Sequence, residues 1–260
     1  MPAPRPLHEV NAVLALRRAG ATDRQVSQLT GIPINTIRIW RSRSLPMRAR
    51  RMIEGAKYCR RCGDEPHDHS RLPSGPYAYL LGMYLGDGCV SGNGRSWRLS
   101  IAQDAAYPGI IASCWAAIEA IAGRPPRLQP DYKGSRCVHV VSGWKQWPCL
   151  FPQHGPGRKH SRKIELVDWQ REIVAQCPGE LLRGLIHSDG WRGINRVFVK
   201  GRWYEYPRYQ FSNRSDDIRR IFTDTCDLMG VQWRPWGRWH ISVARHESVA
   251  RLDQFVGPKA

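Results

Sequence analysis

The first 45 residues carry apolar positions at helical spacing. One apolar stripe ends at Gly20, a residue type that commonly terminates helices, and its members are Val10, Val13, Leu14 and Leu16. Thr22, followed three residues later by Gln25, predicts a capping box at the start of a second helix. Glycine and proline within 31–33 end that helix, and a third is predicted over 35–43. Residues 8–45 are therefore expected to form a small all-helical module.

Further along, apolar and polar residues alternate in the segments 97–103 and 239–245. In the first of these, Trp97, Leu99 and Ile101 alternate with Arg98 and Ser100. Alternation of this kind is typical of antiparallel strands with one face on the core and the other face open. A hairpin is also predicted about Gly201.

One longer pattern occurs twice. Residues 79–88 read YLLGMYLGDG, and residues 181–190 read LLRGLIHSDG. Each is followed by the same predicted succession of strand, strand, helix, strand, strand and short helix. Similarity at a fixed spacing indicates one supersecondary unit used twice. We therefore predict two repeats, over 76–153 and 179–256, joined by a basic connector over 154–178.

Small residues four positions apart occur in both copies of the pattern, as Gly82 and Gly86 and as Gly184 and Ser188. They leave flat helix faces, so we expect the two helices to pack closely there. Close packing would bring the aspartates of the two motifs, Asp87 and Asp189, side by side at helix C-terminal ends. Like charges repel there, and the helix dipole adds to the repulsion. A divalent ion with oxygen ligands, Mg²⁺, would reverse that repulsion.

The net charge of the chain indicates what kind of partner it binds. Forty Lys and Arg residues against 22 Asp and Glu residues give a formal net charge of +18 in 260 residues. Such an excess favours a nucleic-acid partner, with an anionic membrane as the alternative. The sequence has no apolar stretch long enough to span a membrane and no visible export signal. Its eight scattered cysteines indicate reduced thiols and a cytoplasmic protein.

The predicted third helix belongs to a string, ATDRQVSQLTGIPINTIRIWRSR, that is similar to helix-turn-helix modules of small transcription factors and invertase-type DNA-binding domains. That resemblance implies that the third helix enters the major groove of DNA. The residues that would meet bases or phosphates are Asn35, Thr36, Arg38 and Arg41.

Residues 46–75 form a basic linker that contains a Cys-x-x-Cys pair and two histidines. A zinc site is one interpretation, and its ligands would be Cys59, Cys62, His67 and His69. Asp64 or Asp68 could replace one histidine. A reduced cysteine pair and a redox dithiol are the alternatives, although the redox motif needs a strand-helix context that is not evident here.

The two Asp-Gly motifs, with the repeats around them, resemble the LAGLIDADG homing endonucleases in their single-chain form. The resemblance covers roughly residues 76–256 and implies an α+β fold in which tandem αββαββα repeats form a pseudo-twofold DNA-binding saddle. It implies that Asp87 and Asp189 are the metal-binding catalytic acids. The family often has a second acid two residues earlier, where this chain has Leu85 and His187. We interpret His187 as a helix-interface residue, with a proton carrier as the alternative.

The resemblance also predicts basic contacts to DNA from the open faces of the sheets. The candidates are Arg95, Arg98, Arg136, Lys200, Arg202, Arg208, Arg234 and Arg238. In the connector, Lys159 or Lys163 could support the reacting phosphate, or the segment is an exposed linker. Trp191 follows the second motif closely enough to lie near the site.

Two functions follow, both with double-stranded DNA as partner. The first is a Mg²⁺-dependent LAGLIDADG-type DNA endonuclease that works as a monomer in the cytoplasm, associated with the nucleoid. The second is a non-cleaving transcriptional regulator built on the same fold plus helix-turn-helix. Retention of both aspartates favours the first, whereas the appended helical module favours the second. RNA maturation on the same saddle is a third possibility without specific support.

Overall fold

The computed structural model describes residues 7–42, 59, 61–64, 66–92, 96–131, 135–257 and 259. The chain divides into two compact units, Met1–His67 and Asp68–Ala260. The boundary lies inside the segment 46–75 that the sequence predicts as one linker. Within the described ranges, no helix is long and apolar enough to cross a membrane.

The first unit contains three helices, α1 (Leu7–Arg18), α2 (Asp23–Thr30) and α3 (Ile34–Ser42). The capping box of α2 is present, with Thr22 and Gln25 bonded reciprocally. Gly31 ends α2 in the left-handed conformation at φ 68°, which glycine adopts without a steric penalty. The helices pack on a small core made of Val13, Val26, Ile32 and Ile37. A short turn of residues 31–33 joins α2 to α3.

The first repeat begins with α4 (Ser74–Asp87). The hairpin β1 (Gly88–Gly92) and β2 (Trp97–Asp104) follows, then α5 (Pro108–Ala122). The repeat ends with β3 (Arg127–Pro130), β4 (Cys137–Gly143) and the short helix α6 (Trp147–Leu150). Its strands form an antiparallel sheet in the order β1-β2-β4-β3.

The second repeat has the same succession of elements. It consists of α8 (Pro178–Asp189), β5 (Gly190–Val199), β6 (Arg202–Ser212), α9 (Asp216–Leu228), β7 (Arg234–Trp236), β8 (His240–Val243) and α10 (His246–Asp253). Its antiparallel sheet has the equivalent order β5-β6-β8-β7. The predicted α+β fold with tandem αββαββα repeats is therefore confirmed.

The segment between the repeats is more ordered than the predicted basic connector. It contains the helix α7 (Asp168–Gln176), which the sequence analysis did not predict. Gln170 of this helix is fully buried and donates a hydrogen bond of 2.7 Å to the Tyr77 hydroxyl. Tyr77 in turn donates to the carbonyl of Leu150 at 2.6 Å. Buried polar groups of this kind persist because their partners are present, so α7 is a fixed part of the second unit.

Helices α4 and α8 touch through their backbones at the predicted small residues. A Cβ atom added to Gly82 would lie 2.6 Å from both the Leu181 carbonyl oxygen and the Leu185 amide nitrogen, closer than side-chain carbons approach. A Cβ atom at Gly184 would collide with the Tyr79 carbonyl oxygen. The Ser188 hydroxyl bonds to backbone carbonyls of its own helix, at 3.0 and 3.1 Å. Any larger side chain on this face would therefore force the helices apart.

Replacing Gly82 by Ala tests this contact. Alanine normally stabilises a helix relative to glycine, but here its methyl group meets fixed backbone atoms. We expect Gly82→Ala to lower the free energy of unfolding by about 2 kcal/mol, in the range of overpacked cores. Gly75→Ala is the matched control on the same helix, because the nearest atom to its added methyl would be 3.9 Å away. Equal stability of the two variants in urea denaturation would contradict the close packing.

Candidate active site

The two motif aspartates end the two paired helices. Asp87 is the last residue of α4 and Asp189 the last of α8, and each is followed by a glycine whose amide caps the helix. Asp87 is exposed, but the surrounding protein partly desolvates its carboxyl group, and this desolvation raises its pKa to about 6. The negative charge of Asp189 also raises the pKa of Asp87. Burial also raises the pKa of Asp189. Both carboxylates are thus held where ionisation is costly.

An amide side chain supports each aspartate. Asn213 donates a hydrogen bond of 2.6 Å to the Asp189 carboxylate, and Gln103 bonds to the side chain of Asp87. The two amides are equivalent in the repeats, because Gly88 pairs with Ile101 and Gly190 with Phe211. Gln103 lies two residues after Ile101, and Asn213 lies two residues after Phe211. The sequence analysis did not identify them.

A lysine also lies at each helix end. The Lys159 ammonium donates to the carbonyl of Tyr84 and, at 2.9 Å, to that of Gly86. The Lys259 ammonium donates to the Ser188 carbonyl at 3.4 Å. Burial lowers the pKa of Lys159 to about 8 and also lowers that of Lys259, while both aspartates oppose this effect. These cations offset the negative C-terminal ends of the helices.

Lys159 was predicted from the sequence, but Lys259 was not. The only signal for Lys259 is that the spacing between the two lysines nearly equals that between the two aspartates. Lys163, the other predicted lysine, is exposed and pairs with Glu165 at 2.7 Å. The connector therefore contributes Lys159 to the helix ends.

A cleft of about 460 Å³ opens beside Asp87. Gln103, Ser188 and Lys259 line it together with Arg136, one of the predicted DNA contacts. The cleft is thus walled by both repeats, and its charged lining combines the cations of Arg136 and Lys259 with the carboxylates of Asp87 and Asp104.

His187 lies at the helix interface, as the sequence suggests. It is 5% exposed, its Nε2 donates to the Val256 carbonyl at 2.9 Å, and its Nδ1 accepts from the Tyr79 hydroxyl at 3.1 Å. Burial lowers its pKa to about 4, so the imidazole is neutral at physiological pH. Both ring nitrogens are engaged in hydrogen bonds, which favours the predicted helix-interface role over that of a proton carrier.

The strand register shows which predicted DNA contacts share the open faces of the sheets. Arg98 lies on the open face of the first sheet and bonds to Gln129 at 2.9 Å. On the second sheet, alternation from the buried Tyr209 and Phe211 places Arg202 and Arg208 on the opposite face. The same register adds residues that the sequence analysis missed, namely Arg127, Gln129, Tyr204, Tyr206 and Gln210.

The remaining candidates are placed as follows. Trp191 and Arg234 share the open face of the second sheet, since both lie in register with Gln210 or its partner Ser242. Lys200 lies in the hairpin turn, and Arg238 is exposed and stacks over Trp239. Arg95 and the side chain of Arg41 lie outside the described residues.

In the first unit, α3 carries the predicted major-groove residues. Asn35 and Arg38 are exposed and Thr36 is half-buried, while Ile37 faces the core. The ligand atoms of Cys59, Cys62 and His67 lie within 4.8 Å of one another. His69 belongs to the second unit and stacks on Trp169 at 3.9 Å. Asp68 accepts hydrogen bonds from the backbone and hydroxyl of Ser70.

Comparison with known proteins finds structures with a similar fold but no matching sequence. No family profile matches the chain, and no curated protein sequence matches it. Its fold is similar to that of LAGLIDADG homing endonucleases. The I-SmaMI enzyme bound to cleaved DNA is 11% identical with a TM-score of 0.45, and the alignment covers 70% of this chain and 83% of that one. I-AabMI bound to uncleaved DNA is 11% identical with a TM-score of 0.43, covering 70% and 84%.

A third structure, I-SmaMI bound to uncleaved DNA in the presence of calcium ions, is 10% identical with a TM-score of 0.44 over 70% of this chain and 84% of that one. These proteins belong to the family that the sequence motifs resemble. At this identity the likeness concerns the fold, and functional conclusions depend on the residues of this chain.

The raised pKa of Asp87 predicts how stability varies with pH. The carboxyl ionises near 3.8 when unfolded and near 6 when folded, so its contribution to stability falls as pH rises between these values. Asp87→Asn removes this pH-dependent loss of stability, because an amide does not ionise. The shift in the pKa of Asp87 corresponds to about 3 kcal/mol, and solvent access reduces this free energy to about 1 kcal/mol. At pH 7.5 we therefore expect Asp87→Asn to be more stable than the native chain by about 1 kcal/mol.

Urea denaturation in EDTA at pH 4 and pH 7.5 measures this difference. At pH 4 the two proteins should be equally stable, and Mg²⁺ at pH 7.5 should stabilise the native chain more than the variant. Asp224→Asn, an exposed residue of α9, is the control and should show neither effect. A stability difference that is the same at both pH values would contradict the assignment.

Proposed function

We propose that this chain is a Mg²⁺-dependent DNA endonuclease of the LAGLIDADG type, which hydrolyses phosphodiester bonds in double-stranded DNA. The observation that supports this proposal most is the doubled half-site at the ends of α4 and α8. Asp87, Gln103 and Lys159 make up one half, and Asp189, Asn213 and Lys259 the other. Two equivalent half-sites suit two antiparallel DNA strands.

The donor set of this site fits a hard divalent cation. Carboxylate oxygens are preferred ligands of Mg²⁺, and the two aspartates with raised pKa values would gain a favourable partner. When bound there, Mg²⁺ would lower the pKa of an attacking water and neutralise charge at the scissile phosphate. Without such an ion, a pair of partly desolvated acids facing a polyanion would weaken DNA binding.

The side chains around the acids have separate tasks in this proposal. The amides of Gln103 and Asn213 hold each carboxylate in a fixed orientation. Lys159 and Lys259 place positive charge at the helix ends, where it would stabilise negative charge that develops on the phosphate oxygens. The helix dipoles and both acids are negative there, so these cations also make the approach of DNA less unfavourable.

The open sheet faces supply the surface for DNA. In the strands of the second sheet the single acidic residue is Glu205, and it pairs at 2.8 Å with Arg196 on the opposite face. The open face instead carries Arg202, Arg208 and Arg234. Cationic side chains would bind phosphates, while Tyr204, Tyr206 and Gln210 are suited to contact base edges or sugars.

The three-helix unit would add a second DNA contact. Its α3 exposes Asn35 and Arg38 beside a buried Ile37, the arrangement that a major-groove helix needs. Because one chain holds both half-sites, we expect the protein to act as a monomer. Its place of action would be the cytoplasm, in association with the nucleoid.

Loss of the two acids tests cleavage. We expect the native chain to make double-strand cuts in a randomised plasmid library with Mg²⁺, and Asp87→Asn/Asp189→Asn to make none while still binding DNA. Sequencing of the cut ends gives the target, and Asp224→Asn should cut as the native chain does. Absence of cutting by the native chain, with salt-sensitive and sequence-selective binding, would contradict a nuclease and support the non-cleaving regulator.

The lysines should affect catalysis more than binding. Removing one preorganised charge at a developing anion typically slows catalysis by about 100-fold. We therefore expect Lys159→Ala and Lys259→Ala each to lower the single-turnover cleavage rate by about that factor, with DNA affinity changed by less than about tenfold. Lys163→Ala, which removes an exposed lysine paired with Glu165, is the matched control. Equal effects of all three substitutions would show that the lysines act only through general charge.

A further inference from the structure

The first unit contains a cluster of metal-ligating side chains that the nuclease site does not use. It includes Cys59, Cys62 and His67. We propose that these residues bind a structural zinc ion, independent of the Mg²⁺ site at the two aspartates. Thiolate and imidazole ligands favour zinc, whereas the carboxylates of the nuclease site favour Mg²⁺, so one chain can hold both ions without exchange between the sites.

The spacing of the ligand atoms fits one ion. The sulfur atoms of both cysteines and a ring nitrogen of His67 lie within 4.8 Å of one another, and the Cys62 sulfur is 3.2 Å from His67 Nε2. Zinc binds sulfur at about 2.3 Å and nitrogen at about 2.0 Å. In a tetrahedral site, the distance between two neighbouring ligand atoms is therefore about 3.5 to 3.8 Å. Shifts of less than about 1 Å would therefore complete this part of the coordination sphere.

The backbone of the Cys-x-x-Cys turn already presents both thiols together. The Gly63 amide donates to the Cys59 carbonyl at 2.8 Å, and the Cys59 amide donates to the Asp64 carbonyl at 2.7 Å. Gly63 follows the second cysteine directly and has φ 77°, a left-handed conformation that other residues adopt only with strain. The chain thus reverses on itself between the two cysteines, so both sulfurs can reach one ion.

The surroundings of the cysteines argue for a zinc ion and against a redox dithiol. A redox-active Cys-x-x-Cys pair of the thioredoxin type lies at a helix N-terminus in a strand-helix context. Cys59 and Cys62 instead lie in a turn, and the described residues around them, 61–64 and 66–67, form no helix. None of these residues belongs to the apolar core of the first unit, which comes from the three helices. A metal ion bound here would cross-link the turn through its three ligands.

Metal analysis of the full-length chain tests the proposal. We expect one equivalent of zinc in protein purified under reducing conditions, and its loss in Cys59→Ser/Cys62→Ser. Replacement by Co²⁺ should give thiolate-to-metal charge-transfer bands and intense visible bands of a tetrahedral site. Cys89→Ser is the matched control, because this exposed cysteine lies in β1 of the second unit. It should leave metal content and spectrum unchanged.

Two single substitutions keep the test valid if the double variant folds poorly. His67→Ala should weaken Co²⁺ binding by about 100-fold, while the thiolate bands persist at high Co²⁺ concentration. Gly63→Val keeps all three ligands but strains the turn, so we expect about tenfold weaker binding. Zinc retained in the double variant, or a native chain that binds neither ion and forms a Cys59–Cys62 disulfide in air, would overturn the proposal. Neither result depends on whether the protein cleaves DNA.

Discussion

The backbone contact between α4 and α8 is the constraint on which the candidate site depends. Gly82 and Gly184 remove the side chains that would hold the helices apart, and the Ser188 hydroxyl is bonded to carbonyls of its own helix. The C-terminal ends of α4 and α8 therefore lie side by side. Since each ends in an aspartate, the packing of the core and the position of the two carboxylates have a single physical cause.

This arrangement concentrates negative charge where a polyanionic ligand would have to approach. Two carboxylates meet two helix C-termini, and desolvation by the surrounding protein raises the pKa of both acids. The chain balances the charge locally with Lys159 and Lys259, each bonded to carbonyls at a helix end. In the proposed function, a Mg²⁺ ion would supply the further positive charge that the acids and helix ends favour. A site that is unfavourable alone and stabilised by a metal is typical of catalytic centres, where local stability is given up for reactivity.

The two units use different chemistry for different purposes. The second unit has a large apolar core and places oxygen donors and cations on the edge of that core. Among its described residues, the apolar cluster of the first unit is small and is built from Val13, Val26, Ile32 and Ile37, and the Cys-x-x-Cys turn is not part of that cluster. Small modules of this kind commonly rely on a metal for part of their stability. A soft-ligand site in one unit and a hard-ligand site in the other would keep structural and catalytic ions separate.

The sequence by itself determined the features that depend on neighbours along the chain. Apolar spacing and capping residues located the helices of the first unit and of the αββαββα repeats, although not α7, and the doubled Asp-Gly motif indicated Asp87 and Asp189 as candidate site residues. The tertiary structure decided which distant residues meet these acids. Gln103 and Asn213 reach them because of strand register, and Lys259 because the chain returns after α10 to the helix ends. Such contacts are set by the packing of whole elements, which leaves no periodic signal in the sequence around each residue.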